Sequence, residues 1–218
     1  MSDTQGRAAI FGRIRQSLGR ASLDAARSAE LDARIAACPG HTRPAQRGAY
    51  FALFKRRFEA RGGSVEHITD RDTLPAAVAA YLDNLSLPRR IVLAPSLTDL
   101  PWPADIERAV RRAYTDDLVA VSDCRIAVAE TGSLLFTSGP ASPTTHNFVP
   151  DHQLVLLDAN SLVCHLEDAW GYLRTLPNGM PRAVNLVSGP SRTGDIEQTI
   201  QLGAHGPRRV HVLVINAA

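Results

Sequence analysis

The sequence predicts an α/β fold: a mostly parallel sheet with flanking helices, preceded by an N-terminal helical segment. Three observations point there. Short apolar runs recur at 65–68, 91–94, 118–121, 154–157, 183–187 and 210–215, each about strand length and bounded by turn residues. Segments with helical spacing separate several of these runs, which is the rhythm of a parallel sheet covered by helices. The 218 residues, 44% of them hydrophobic, are enough to bury one large core.

Ile10, Ile14 and Leu18 recur at a four-residue step beside Phe11 and predict a first helix. Leu31 and Ile35 mark a second, ended by Pro39-Gly40, and Phe51, Phe54 and Phe58 a third over 45–61, stopped by Gly62-Gly63. The expected boundary follows, with a helical segment at 1–62 and an α/β domain at 63–218. Next come strand 65–68, helix 73–84 with Pro75 in its first turn, strand 91–94, a short helix at 105–113 and strand 118–121. Two apolar runs flank Glu130-Thr131-Gly132-Ser133 and predict a hairpin or a sharply bent strand pair. The Pro/Ser/Thr-rich stretch 138–147 reads as loop. Strand 154–157, helix 160–173 and strand 183–187 follow. A glycine-rich turn, a short helix with Ile196, Ile200 and Leu202, a second glycine turn and strand 210–215 complete the pattern.

Composition narrows the function. Cys38, Cys124 and Cys164 lie too far apart for zinc-ribbon or iron–sulfur frameworks, and an odd count fits a reducing compartment. No run approaches the roughly 18–20 apolar residues of a membrane span. No signal-peptide h-region is visible, so a cytoplasmic protein is expected. The net charge of +2 is unequally spread: residues 1–62 carry 12 basic and 5 acidic side chains, and the remainder 12 and 17. That reads as a basic arm that docks on an acidic body, its own or a partner's. Aromatics are not interleaved with the arginines, so nucleic acid is not expected. Lys55 is the only lysine, which confines any Schiff-base chemistry to that position.

Two constellations stand out. Gly189, Ser191, Arg192, Thr193 and Asp195 lie between a predicted strand and a predicted helix. Backbone N–H groups, hydroxyls and a guanidinium at a helix start can hold a carboxylate or phosphate. The same residue types also serve as plain helix caps. Glu130, with Thr131, Gly132 and Ser133, places a carboxylate between two apolar strands, where it would act as a general base or nucleophile, or cap nearby N–H groups. Arg192 is its candidate partner. His205, in Gly203-Ala204-His205-Gly206-Pro207, could face the same edge. His165, with no acid/His pattern around it, and His211, inside a strand, do not read as site residues. No His-x-x-x-His or Glu-x-x-His pair occurs, so no dedicated metal site is expected.

The segments 128–134, 188–197 and 203–207 together resemble the lactate-utilization protein C family, the LUD domain, over roughly 65–215. The N-terminal helices also resemble that family's leader. The resemblance implies a core like that of ribose-5-phosphate isomerase and the CoA-transferases. It implies a cluster-free subunit in the oxidation of L-lactate to pyruvate, without a cofactor of its own, beside partner subunits that carry iron–sulfur clusters. Ser133 stands where the family pattern has Thr, and Thr144-Thr145-His146-Asn147 departs from an expected Arg/Ser-rich segment. The expected ligand is a small carboxylate or phosphorylated molecule. Two alternatives are a non-catalytic assembly subunit that docks the cluster proteins, and an independent sugar-phosphate or acyl-CoA enzyme of the same fold.

Overall fold

The structure, a computed structural model, describes residues 3–19, 23–37, 43–45, 49–194 and 200–216. It divides into two compact units, Met1–Pro44 and Ala45–Ala218. The first unit holds α1 (Asp3–Leu18) and α2 (Ala25–Ala37). Both predicted stripes fall on these helices, but Ile10, Phe11, Ile14, Leu18 and Ile35 are exposed, and α2 buries no residue.

The second unit begins before α3 (Tyr50–Glu59), so the division falls at 44/45 rather than after Gly62. The reason is packing. Phe54 and Phe58 stack at 5.5 Å and are fully buried in the core of the α/β unit. That core surrounds a six-stranded sheet ordered β1 (Ser64–His67), β12 (Arg209–Ile215), β7 (His152–Asp158), β4 (Val119–Asp123), β2 (Arg90–Leu93) and β3 (Glu107–Ala109). Every pairing in it is parallel.

Side chains alternate across this sheet as strand geometry requires. On β7, Leu154 and Leu156 join one apolar cluster, and Val155 and Leu157 the other. The first cluster is covered by α4 (Leu74–Asn84), with Pro75 in its opening turn as expected. The second is covered by α3 and by a smaller sheet ordered β8 (Leu162–Val163), β5 (Ile126–Val128), β6 (Ser133–Thr137) and β9 (Val184–Val187). The outer face of that smaller sheet packs on α5 (Leu166–Arg174) through Ile126, Val128, Leu135, Ala169 and Leu173.

Three expected helices differ. Residues 105–113 are not helical: Glu107–Ala109 forms the edge strand β3 and the rest is turn or irregular; Pro101 and Pro103 stand just upstream, and Glu107 N–H donates to Arg89 O at 2.9 Å on the open side of β2. The helix expected from 160 starts only at Leu166, because Leu162–Val163 pairs in parallel with β5. In place of a helix near 196–202, Ile200–Leu202 is β11, paired antiparallel with β10 (Arg192–Gly194). Asp195 and Ile196 lie outside the described residues. No described helix is long and apolar enough to cross a membrane.

Candidate functional site

The two motifs that stand out in the sequence come together in space. The loop after β5 carries Glu130-Thr131-Gly132, and β6 opens with Ser133. The loop after β9 carries Ser188 and Gly189. Ser133 Oγ lies 2.7 Å from Thr131 Oγ1 and 2.6 Å from Ser188 Oγ, so three hydroxyls form one chain.

Both loops close on the end of α3. Gly132 has φ +61°, and a Cβ there would meet Arg57 Cβ and Phe58 N at 2.7 Å. Gly189 has φ +113°, and a Cβ there would meet Arg61 Cβ at 3.1 Å. Only glycine allows these left-handed turns and close approaches. Arg61 completes the junction: its Nη1 donates to Thr131 O at 2.8 Å and to Arg57 O at 3.1 Å. The Arg192 guanidinium lies against Gly62, where a Cβ would strike it. Arg61 therefore borders the Thr131 end of the hydroxyl chain, and Arg192 lies at the Gly62 turn that follows α3. Strands β1 and β12 both begin at this edge, through Gly62-Gly63 and Pro207. The junction thus sits at the amino ends of these parallel strands, opposite to the carboxyl edge where open α/β sheets usually bind ligands.

Glu130 does not reach Arg192 as an ion-pair partner among the described residues. Its Oε2 accepts from His165 Nδ1 at 2.8 Å, and its Oε1 from Leu166 N at 2.7 Å. Glu130 thus caps the first residue of α5, one of the roles its residue type allows. Burial pushes the Glu130 carboxyl upward, but the hydrogen bonds from His165 and Leu166 outweigh it and hold the group below the ordinary carboxylate range.

Ser191 does not cap a helix. Its N–H donates to Pro207 O at 2.8 Å, its carbonyl accepts from Gly203 N at 3.0 Å, and its Oγ accepts from His205 N at 3.4 Å. It ties the motif to the second glycine turn, on which His205 is exposed. Thr193 lies on β10.

Three participants escaped the sequence. Arg61 was covered by a helix-end reading. His165 is 35 positions from Glu130 and meets it only because β8 pairs with β5. His211 is buried on β12, with Nδ1 2.8 Å from Ser64 Oγ, Nε2 3.2 Å from Glu66 Oε2 and its ring stacked on Tyr81.

An all-parallel main sheet, a smaller sheet folded over it and a glycine-lined, arginine-bordered junction define an α/β protein of a particular kind. The chain belongs to the LUD domain family, whose profile matches residues 51–215. An uncharacterized protein of Neisseria meningitidis serogroup B is 32% identical over 149 residues, 64% of each chain. Lactate utilization protein C of Deinococcus radiodurans is 27% identical over 181 residues, 79% of this chain and 82% of that protein. Lactate utilization protein C of Shouchella clausii is 26% identical over 114 residues, 51% of this chain and 49% of that protein. The chain thus spans 64% of the Neisseria relative and about half of the Shouchella one. A crystal structure of a DUF162 family protein from Deinococcus radiodurans has the same fold, with a TM-score of 0.62 at 19% identity over 79% of this chain and all of that one.

Proposed function

We propose that this chain is a cytoplasmic, cluster-free subunit of an L-lactate oxidation system, and that it binds a small carboxylate or phosphorylated ligand at the junction of its two motifs. The relatives named lactate utilization protein C support the cellular role. The observation that carries the ligand reading is the Ser133–Ser188 hydrogen bond, which joins the motifs beside Arg61. Hydroxyls beside one guanidinium, with that of Arg192 at the adjoining Gly62 turn, suit an oxyanion. Iron–sulfur clusters belong, in this reading, to the partner subunits.

The test is growth on L-lactate of a strain whose own copy is replaced by Arg61→Ala, Arg192→Ala or the double variant. Loss of growth with normal protein level is expected. Full growth of the double variant would refute the site.

A second reading is assembly. The exposed Ile10, Phe11, Ile14 and Leu18 on α1, with Arg7, Arg13 and Arg15 on the same helix, suit an acidic partner with apolar contacts. It predicts that deleting residues 1–40 abolishes co-purification with the cluster proteins while the Arg61 and Arg192 variants still co-purify.

A further inference from the structure

Glu130, His165 and Glu167 each offer one donor atom, and the three atoms lie within 4.8 Å of one another. We propose that this trio binds one divalent transition-metal ion of the zinc or manganese class and leaves a coordination position open. One imidazole and two carboxylates are a donor set such ions accept, and three protein ligands leave room for water or a substrate oxygen. The donors come from two places that hydrogen bonds hold together: Glu130 stands in the loop just after β5, while His165 and Glu167 flank the first residue of α5. An ion holding N and O donors at about 2.0–2.2 Å separates tetrahedral neighbours by about 3.3 Å. His165 Nδ1 and Glu130 Oε2 stand 2.8 Å apart as a hydrogen-bonded pair, so an ion would replace the shared proton, widen that gap by about 0.5 Å and draw in the Glu167 carboxylate, whose donor atom lies within 4.8 Å of both.

The surroundings suit an ion. The side chains of His165 and Glu130 are 11% and 20% exposed, shielded but reachable. The apolar cluster of Val128, Ala169 and Leu173 packs the same elements from within. Groups outside the trio orient it: Leu166 N–H holds Glu130 Oε1, and Asp168 Oδ2 accepts from His165 N at 3.1 Å. Such partners fix ligand direction in metal sites. Two carboxylates against at most one imidazolium leave a net negative charge, which a divalent cation offsets. This inference stands apart from the lactate reading, since metal binding by the purified chain is measured without any growth phenotype.

The experiment titrates Zn²⁺, and separately Mn²⁺, into chelator-treated full-length protein by calorimetry at neutral pH. One ion per chain is expected for at least one of the two metals, with affinity reduced 100-fold or more in Glu167→Gln and His165→Gln. Circular dichroism checks that each variant is folded; if His165→Gln is not, Glu167→Gln decides, since Glu167 only flanks the Glu130–His165 contact. Absence of stoichiometric binding by the wild type, or unchanged affinity in Glu167→Gln, overturns the proposal.

Discussion

Ser133 and Ser188 share a hydrogen bond 2.6 Å long, and that contact links the hairpin loop of the small sheet to the loop leaving β9. Ser133 is almost fully buried and also reaches Thr131, so its one hydroxyl serves two neighbours. Ser133→Ala should therefore leave Thr131 and Ser188 each short of a partner. The expected cost is about 1–3 kcal/mol. Urea denaturation of wild type, both single variants and the double Ser133→Ala/Ser188→Ala variant checks it; a strictly additive cycle would show that the contact carries no coupling.

Gly132→Ala tests the close approach of this loop to α3. The new Cβ would stand 2.7 Å from Phe58 N, a backbone atom, at a residue with φ +61°. Neither the strain nor the clash can be relieved by a side-chain rotation. The expected loss is about 2–4 kcal/mol. Gly139→Ala is the control: nothing lies within 4 Å of its Cβ position, and a change within about 0.5 kcal/mol is expected. Equal denaturation midpoints for the two variants would remove the argument.

Three histidines that the fold shields from water, His146 and His211 buried and His152 half-buried, should set the acid limb of stability. Burial pushes the pKa of His146, His152 and His211 below the ordinary value of about 6.5. His146 donates from Nε2 to Arg111 O at 2.8 Å, and its buried Nδ1 has no partner among the described residues, so a second proton there has no acceptor among them. Because folding lowers these pKa values, the unfolded chain binds more protons as pH falls through about 6.5. Stability is then full above that value and falls as pH drops through it. Thermal midpoints should be lower near pH 5 than near pH 7.5, and His146→Gln should narrow the gap. A midpoint independent of pH over this range would contradict it.

Much of the fold was legible because its strands are buried on both faces and read as unbroken apolar runs; β4, β7 and β12 were located within a few residues. The hairpin around Glu130 was legible for the same reason. Segments whose pairing partner is set by the tertiary structure were not. Residues 105–113 have helix-compatible residues, yet 107–109 pair along the free side of β2. The run after Ser191 has helical spacing, yet β10 and β11 pair with each other. The candidate site was legible as two motifs but not as a junction, since neither Arg61 nor His165 lies near its partner in sequence. Seeing either requires the register of β5 against β8, or the turn that brings α3 under both loops.

The division of the chain gives the last prediction. Phe54 and Phe58 of α3 fill the space between the large sheet and the small one, against Val155, Val212, Leu134 and Phe136. Removing one such phenyl ring costs about 3–5 kcal/mol, and a domain holds about 5–15 kcal/mol in total. A chain beginning at Ala45 keeps both rings and should melt cooperatively. A chain beginning at Gly63, where the sequence alone places the domain start, loses both and uncovers the apolar face of β6. It should bind a hydrophobic dye and lack a cooperative transition. Calorimetry of the two truncations decides the point, and a cooperative melt of 63–218 matching that of 45–218 would mean that α3 is dispensable to the core.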